Sequence, residues 1–161
     1  MGQQVLGLAG VLDDRRRRAM DRAVAPERYV GASELSLGSM KRNAARERRI
    51  IDEILVDAYA PEEQAMGWYY YLERELRFPF PARCRAPRAI SPLRRGERVT
   101  ITGMAPEEEC EHEMFVQIQW EGRELAVPLA QLEVQGIGTV HAATRQAIAD
   151  WHYWLDQGYE L

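Results

Sequence analysis

FVQIQWEGRELAV, residues 115–127, carries the clearest fold signal in this chain. Phe115 to Trp120 alternate between apolar and polar side chains, which is the period of a strand with one buried face. Glu121-Gly122-Arg123 predicts a tight turn, and Glu124 to Val127 predict a second short strand. The segment therefore predicts two strands joined by a turn.

The neighbouring segments extend this β-structure in both directions. Pro128 to Leu132 resemble a single helical turn, which leads into a last strand at Glu133-Val134. Upstream, Phe78 to Ala86 and Val99 to Thr102 also alternate with period two. Five short strands with a one-turn helix before the last predict a five-stranded SH3-like β-barrel at about residues 77–135.

Three helices are predicted around the barrel, two before it and one after it. The first spans Lys41 to Ala58, the second begins at Pro61, and the last precedes Gly158, which supplies a C-terminal stop. Each has apolar residues at three- and four-residue steps. The fold class is therefore predicted to be α+β, with the tryptophans of the last helix in the core.

Composition changes near residue 40. Residues 1–40 hold a block of charged residues and a small, polar stretch without a lasting apolar period, which predicts a flexible N-terminal extension. Met40 precedes the patterned region directly and is a candidate for the true translation start. Residues 41–161 are expected to form the folded domain.

The overall charge argues against several classes of partner. The 161-residue chain has a formal net charge of -4, and no segment interleaves Lys or Arg with aromatic residues, so nucleic acid is not expected as a partner. Val5 to Leu12 are too short to span a bilayer. Cys84 and Cys110 lack CxxC spacing, which predicts unpaired thiols. We expect a soluble, cytoplasmic monomer.

The main candidate site is a run of carboxylates at residues 107–113, EEECEHE. Like charges this close repel each other, and a hard cation such as Ca²⁺ would relieve the repulsion. An extended loop would direct alternate residues to one side, whereas a folded loop would also bring in Glu108. A merely solvated acidic loop is the alternative. The candidate ligands are Glu107, Glu108, Glu109, Glu111 and Glu113.

A second acidic group lies at the junction of the first two helices. Asp57 would end one helix, and Glu62 and Glu63 would open the next. A turn could bring them together around a metal ion, but glutamates are also ordinary at a helix start. Asp150, Asp156 and Glu160 form a weaker third group, which we expect to be solvated on the last helix.

Three blocks of sequence resemble a known family: DAYAPEEQAMGWYYYL at residues 57–72, GMAPEEECEHEM at 103–114 and DWHYW at 150–154. They are similar to the bacterial calcium-binding proteins typified by the cyanobacterial calcium-binding protein, and the resemblance covers about residues 41–161. It implies a small acidic protein without an EF-hand that binds calcium through clustered carboxylates and buffers or senses the cytosolic ion. No segment matches the EF-hand pattern.

Other functions are less well supported. Ser91 lies in a Ser-Pro turn, and no nucleophile has an identifiable base, so catalysis is not expected. Cys84, Cys110 and His112 make a poor zinc set. The alternative function is a protein or peptide interaction module without metal, because an SH3-like barrel can hold peptides in an aromatic groove that includes Phe115 or Trp120.

Overall fold

A computed structural model describes residues 41–161, and within it Asn43–Leu161 form one compact unit. The predicted extension at residues 1–40, with Val5 to Leu12, lies outside the described residues. Five antiparallel strands form one sheet in the order β4-β3-β2-β1-β5. The strands are β1 Phe80–Cys84, β2 Arg98–Met104, β3 Phe115–Trp120, β4 Arg123–Pro128 and β5 Leu132–Val134.

The sheet is not closed into the predicted barrel. Strands β4 and β5 are the two edges of the sheet and do not pair with each other. A 3₁₀ turn, Leu129–Gln131, connects them directly. Backbone hydrogen bonds tie this turn to the chain on either side, at Met114 and Arg85. The two edges are thus joined through the chain rather than by a ladder, and the SH3-like description stays a prediction.

The helices confirm the predicted α+β class. Helix α1 is Ala44–Arg49, helix α2 is Pro61–Glu75 and helix α3 is Ala142–Asp156. Asn43 caps α1 by accepting the Arg46 N–H at 3.0 Å. No helix within residues 41–161 is long and apolar enough to cross a membrane.

The first helix departs from the uninterrupted one predicted over Lys41 to Ala58. After Arg49 the chain widens into a π-helical turn, Ile50–Ile54. Gly67 of α2 explains how this turn packs, since a Cβ there would lie 2.3 Å from the Ile54 carbonyl oxygen. The wide turn and the missing side chain together let the two helices approach closely.

Tryptophans hold α2 against α3, as expected of core residues. Trp68 packs edge-on against Trp151 with ring centroids 5.1 Å apart, and Trp154 is 5.9 Å from Trp68. All three are buried. Tyr70 is the exception in the aromatic run of α2, because half of its surface remains exposed. It points instead toward the loop between β2 and β3.

Candidate functional site

The acidic loop connects β2 to β3 and is folded rather than extended. Glu107–Glu109 form a 3₁₀ turn in which the Glu109 N–H donates to the Pro106 carbonyl at 3.0 Å and the Cys110 N–H donates to the Glu107 carbonyl at 2.9 Å. Consecutive glutamates therefore point in different directions around the turn. The alternation expected of an extended hairpin loop is not observed.

Side chains on both sides of the loop hold it in place. The Tyr69 hydroxyl donates to the Ala105 carbonyl at 3.0 Å, and the Tyr70 hydroxyl donates to Glu107 Oε2 at 2.8 Å. At the far end, the Cys110 sulfur accepts the Phe115 N–H at 3.4 Å. Helix α2 is thus tied to the start of the acidic loop by two tyrosines.

A small cleft of about 200 Å³ lies between α2 and the acidic loop. We call it the acidic cleft; its lining residues are Glu62, Met66, Glu107, Glu108 and Glu111. Four of these five residues carry a carboxylate, and none carries a positive charge. The structure therefore brings together one glutamate from the predicted helix-junction group and three from the predicted loop group.

The remaining candidate ligands lie elsewhere or have other partners. Glu63 caps α2, accepting the N–H groups of Tyr59 at 2.7 Å and Ala60 at 3.0 Å, and these bonds lower the pKa of Glu63. Asp57 occupies a turn with φ of 56° and does not line the cleft. The helix-junction group is therefore divided.

Within the acidic loop the same division appears. Arg88 binds Glu113 through two hydrogen bonds of 2.7 and 3.1 Å. Glu109 is exposed on the 3₁₀ turn and does not line the cleft. Glu113 thus anchors the end of the loop, and the carboxylates of the acidic cleft are a subset of the predicted list.

The donor chemistry of the cleft fits a hard divalent cation, since carboxylate oxygens are the ligands that Ca²⁺ prefers. As they stand, the side chains of residues 41–161 contain no group of three His, Cys, Asp or Glu residues arranged to hold a metal ion. The glutamates border the cleft without converging on one point. Binding would thus require side chains such as those of the exposed Glu62, Glu108 and Glu111 to rotate inward.

Zinc is a poor fit to the described residues. Cys84 and Cys110 are both free and buried, as the sequence predicts, and burial raises the pKa of each thiol. A raised pKa disfavours the thiolate that zinc requires. His112 is exposed and does not line the acidic cleft.

The sequence did not identify Met66, which lines the cleft, or Tyr70, which donates a hydrogen bond to the cleft residue Glu107. Glu62, Met66 and Tyr70 recur at four-residue steps, so they lie on one face of α2. That face contacts the acidic loop through Tyr70 and Glu107. The spacing alone identifies the shared face, although it does not identify what the face contacts.

Comparisons with known proteins agree with the sequence resemblance. A family model described as "Calcium binding" (Calci_bind_CcbP) matches residues 48–155. A solved structure of a "Calcium binding protein in the calcium-binding form" is 38% identical, with a TM-score of 0.66, covering 76% of this chain and 98% of that one. The crystal structure of Anabaena CcbP is 40% identical, with a TM-score of 0.67 and the same coverage. No curated protein matches this chain.

Proposed function

Because this chain belongs to the CcbP-like calcium-binding family, we propose that it binds Ca²⁺ in the acidic cleft. The observation that carries the proposal is the meeting of Glu62 with Glu107, Glu108 and Glu111 around one cleft. These residues come from two elements far apart in sequence, and no basic side chain lines the cleft to neutralise them. A cation from solution would supply the missing positive charge.

The size and hardness of calcium suit this set of donors. Ca²⁺ takes about six to eight oxygen ligands in a flexible arrangement. The four carboxylates supply up to eight oxygens, and water can replace any that do not reach the ion. Mg²⁺ requires a tighter octahedral shell and gives up its waters reluctantly. We therefore expect the cleft to favour calcium.

In this proposal the protein is a calcium buffer or sensor of the cytoplasm, acts as a monomer and catalyses no reaction. The exposed glutamates must be ordered when the ion binds, which costs conformational entropy. Affinity should therefore lie in the micromolar-to-millimolar range rather than the nanomolar one. The bound ion would stiffen residues 107–113 and remove their mutual repulsion. Asp57, Glu63, Glu109 and Glu113 would support the site without holding the ion.

Tyr70 offers an optical reporter of binding. Its hydrogen bond to Glu107, followed by the charge of that carboxylate, raises the pKa of the Tyr70 hydroxyl. A cation beside Glu107 would offset this negative charge, so calcium should lower the pKa of Tyr70 toward its ordinary value. Absorbance titration of tyrosinate with calcium and with chelator measures this shift, and Tyr70→Phe identifies its source.

Calorimetry of the full chain with calcium, magnesium and zinc tests the proposal directly. Glu62→Gln/Glu108→Gln should weaken calcium binding by about tenfold or more, because half of the cleft carboxylates are lost. The matched control is Asp52→Asn/Glu53→Gln, which removes two exposed charges outside the cleft. Absence of saturable calcium uptake at millimolar concentration, or equal affinity in both variants, would contradict the proposed site.

A further inference from the structure

A second, larger groove of about 700 Å³ lies at one end of the sheet. It is formed by the connection between β1 and β2 and by the turn between β3 and β4. We call it the Trp120 groove; its lining residues are Pro92, Arg94, Arg95, Gly96, Glu97, Trp120 and Glu121. It shares no lining residue with the acidic cleft. Its chemistry is also different, because it combines arginines with an aromatic ring.

Glu97 holds the indole ring of Trp120 in a fixed orientation. Trp120 Nε1 donates to Glu97 Oε1 at 2.9 Å, and the Arg94 N–H donates to Glu97 Oε2 at 2.9 Å. Both carboxylate oxygens of Glu97 are therefore engaged. Trp120 is half-buried, whereas the tryptophans of the core are buried completely. The groove thus presents a pre-positioned aromatic surface.

The segment that forms one wall of the groove is strongly basic. Residues 83–98 contain six arginines and one glutamate, a net charge of +5 in a chain of net charge -4. Carboxylates of other segments pair with three of these arginines: Arg83 with Glu133, Arg85 with Asp156 and Arg88 with Glu113.

The two arginines in the groove are different. Within residues 41–161, the exposed side chains of Arg94 and Arg95 form no ion pair. Arg94 acts on Glu97 only through its charge and its backbone N–H. The groove is therefore lined by Trp120 and by two arginines whose guanidinium groups can each bind a carboxylate through two hydrogen bonds.

We infer that the Trp120 groove binds an extended acidic peptide segment of a partner protein. Arg94 and Arg95 would bind its carboxylates, while Trp120 and Pro92 would pack against an apolar or proline side chain next to them. The sequence analysis treated peptide binding as an alternative to calcium binding. Here the protein would have both activities, at two separate sites.

A peptide fits the groove better than nucleic acid does. Glu97 and Glu121 also line the groove, and their charges oppose a continuous chain of phosphates. A short peptide can instead place isolated carboxylates on the arginines and keep the glutamates in contact with neutral backbone.

The test is a titration of the full chain, in chelator, with a synthetic peptide of alternating glutamate and proline. Acrylamide quenching isolates Trp120, because Trp68, Trp151 and Trp154 are buried, and Trp120→Phe verifies the assignment. The acidic peptide should protect Trp120 with saturation, and a lysine-proline peptide should not. Arg94→Gln/Arg95→Gln should weaken the acidic peptide by about tenfold.

A matched control separates groove binding from general attraction. Arg98→Gln/Arg123→Gln removes two exposed arginines of the sheet that do not line the groove, and it should change the affinity less than about twofold. Equal weakening in both double variants, or no protection at millimolar peptide, would overturn the inference. Tighter protection by an oligothymidylate of equal charge would overturn it in favour of nucleic acid.

Discussion

Asp150 and the glutamates of the acidic cleft are carboxylates in opposite surroundings. Asp150 is fully buried, and Arg49 binds both of its oxygens at 3.0 and 2.7 Å while the Tyr71 hydroxyl donates at 3.0 Å. The glutamates of the acidic cleft lie near the surface, and no cation lines their cleft. The carboxylate with arginine partners thus connects two helices, whereas the carboxylates without such partners are the proposed calcium ligands.

The cationic partners of Asp150 also offset the free energy that its burial costs. Asp150 also forms an ion pair with Arg46, whose Nε lies 2.8 Å from Asp150 Oδ1 but does not meet the geometry of a hydrogen bond. The hydrogen bond from Arg49 to Asp150 raises the pKa of Arg49, and burial, with the charge of Asp150, raises that of Tyr71. These partners offset the cost of removing Asp150 from water. The carboxylates of the acidic cleft have no arginine partner lining the cleft, and their repulsion is weakened only by the high dielectric constant near the surface.

Asp150→Asn should therefore be strongly destabilising, by about 3 kcal/mol in the free energy of unfolding. The substitution leaves the size of the side chain unchanged but removes the charge that two arginines share. Urea denaturation of the full chain measures the loss. Asp156→Asn is the control, because Asp156 is exposed on the same helix and should change stability by less than about 0.5 kcal/mol. Equal losses would show that Asp150 has no special role.

Local sequence signals predicted most of the secondary structure. Strand β3 has the predicted bounds, Phe115–Trp120, because alternation and the following Glu121-Gly122 turn mark both of its ends. Helix α2 begins at Pro61 as predicted, because proline and the glutamates after it suit a helix start. Both signals lie within a few residues of the feature that they predict.

Contacts between distant segments account for what the sequence could not provide. Glu62 and Glu108 look like separate groups in the sequence, since nothing local records that α2 packs beside the acidic loop. Asp150 was expected to be solvated on α3, but its burial depends on Arg46 and Arg49 of another helix. The sequence places an aspartate such as Asp150 on the solvated face of a helix, because its ion-pair partners lie in another segment.

His152 is a half-buried histidine without an acidic hydrogen-bond partner among the described residues; its Nε2 faces the Leu129 carbonyl instead. Removal from solvent, followed by the charge of Arg85, lowers the pKa of His152 to about 4, although the Leu129 carbonyl and the charges of Asp156 and Glu133 act in the opposite direction. An unfolded histidine has a pKa of about 6.5, so the unfolded chain takes up the proton first. Stability should fall as pH decreases from about 6.5 to 4, with about 2 kcal/mol lost at pH 5.

Urea denaturation at pH 7 and pH 5 measures this loss, and His152→Gln should reduce it. His112→Gln is the matched control, because His112 is exposed in the acidic loop and its substitution should leave the loss between the two pH values unchanged. If His152→Gln has the same pH dependence as the unsubstituted protein, another group carries the proton linkage.

Calcium should stabilise the folded protein through the acidic cleft alone. At ten times its dissociation constant, an ion that binds only the folded state contributes about 1.4 kcal/mol. Asp150→Asn should keep this increment, because distant independent sites add. Glu62→Gln/Glu108→Gln should lose most of it. Thermal or urea unfolding with calcium and with chelator compares the three proteins. If Asp150→Asn loses the increment, Asp150 and the acidic cleft are energetically coupled, which contradicts the prediction.

Glu108→Gln should have a small effect of the opposite sign to that of Asp150→Asn. Both substitutions convert a carboxylate to an amide, but in the cleft the lost charge was repelled by Glu107 and Glu111. In chelator at low salt, Glu108→Gln should therefore stabilise the fold by about 0.3 kcal/mol. The gain should shrink at high salt, where charges are screened within a few ångströms, and should become a deficit in calcium. A loss of stability in chelator would mean that Glu108 has a structural partner. Removing its charge lowers the free energy of unfolding only if a group in the folded protein stabilises that charge.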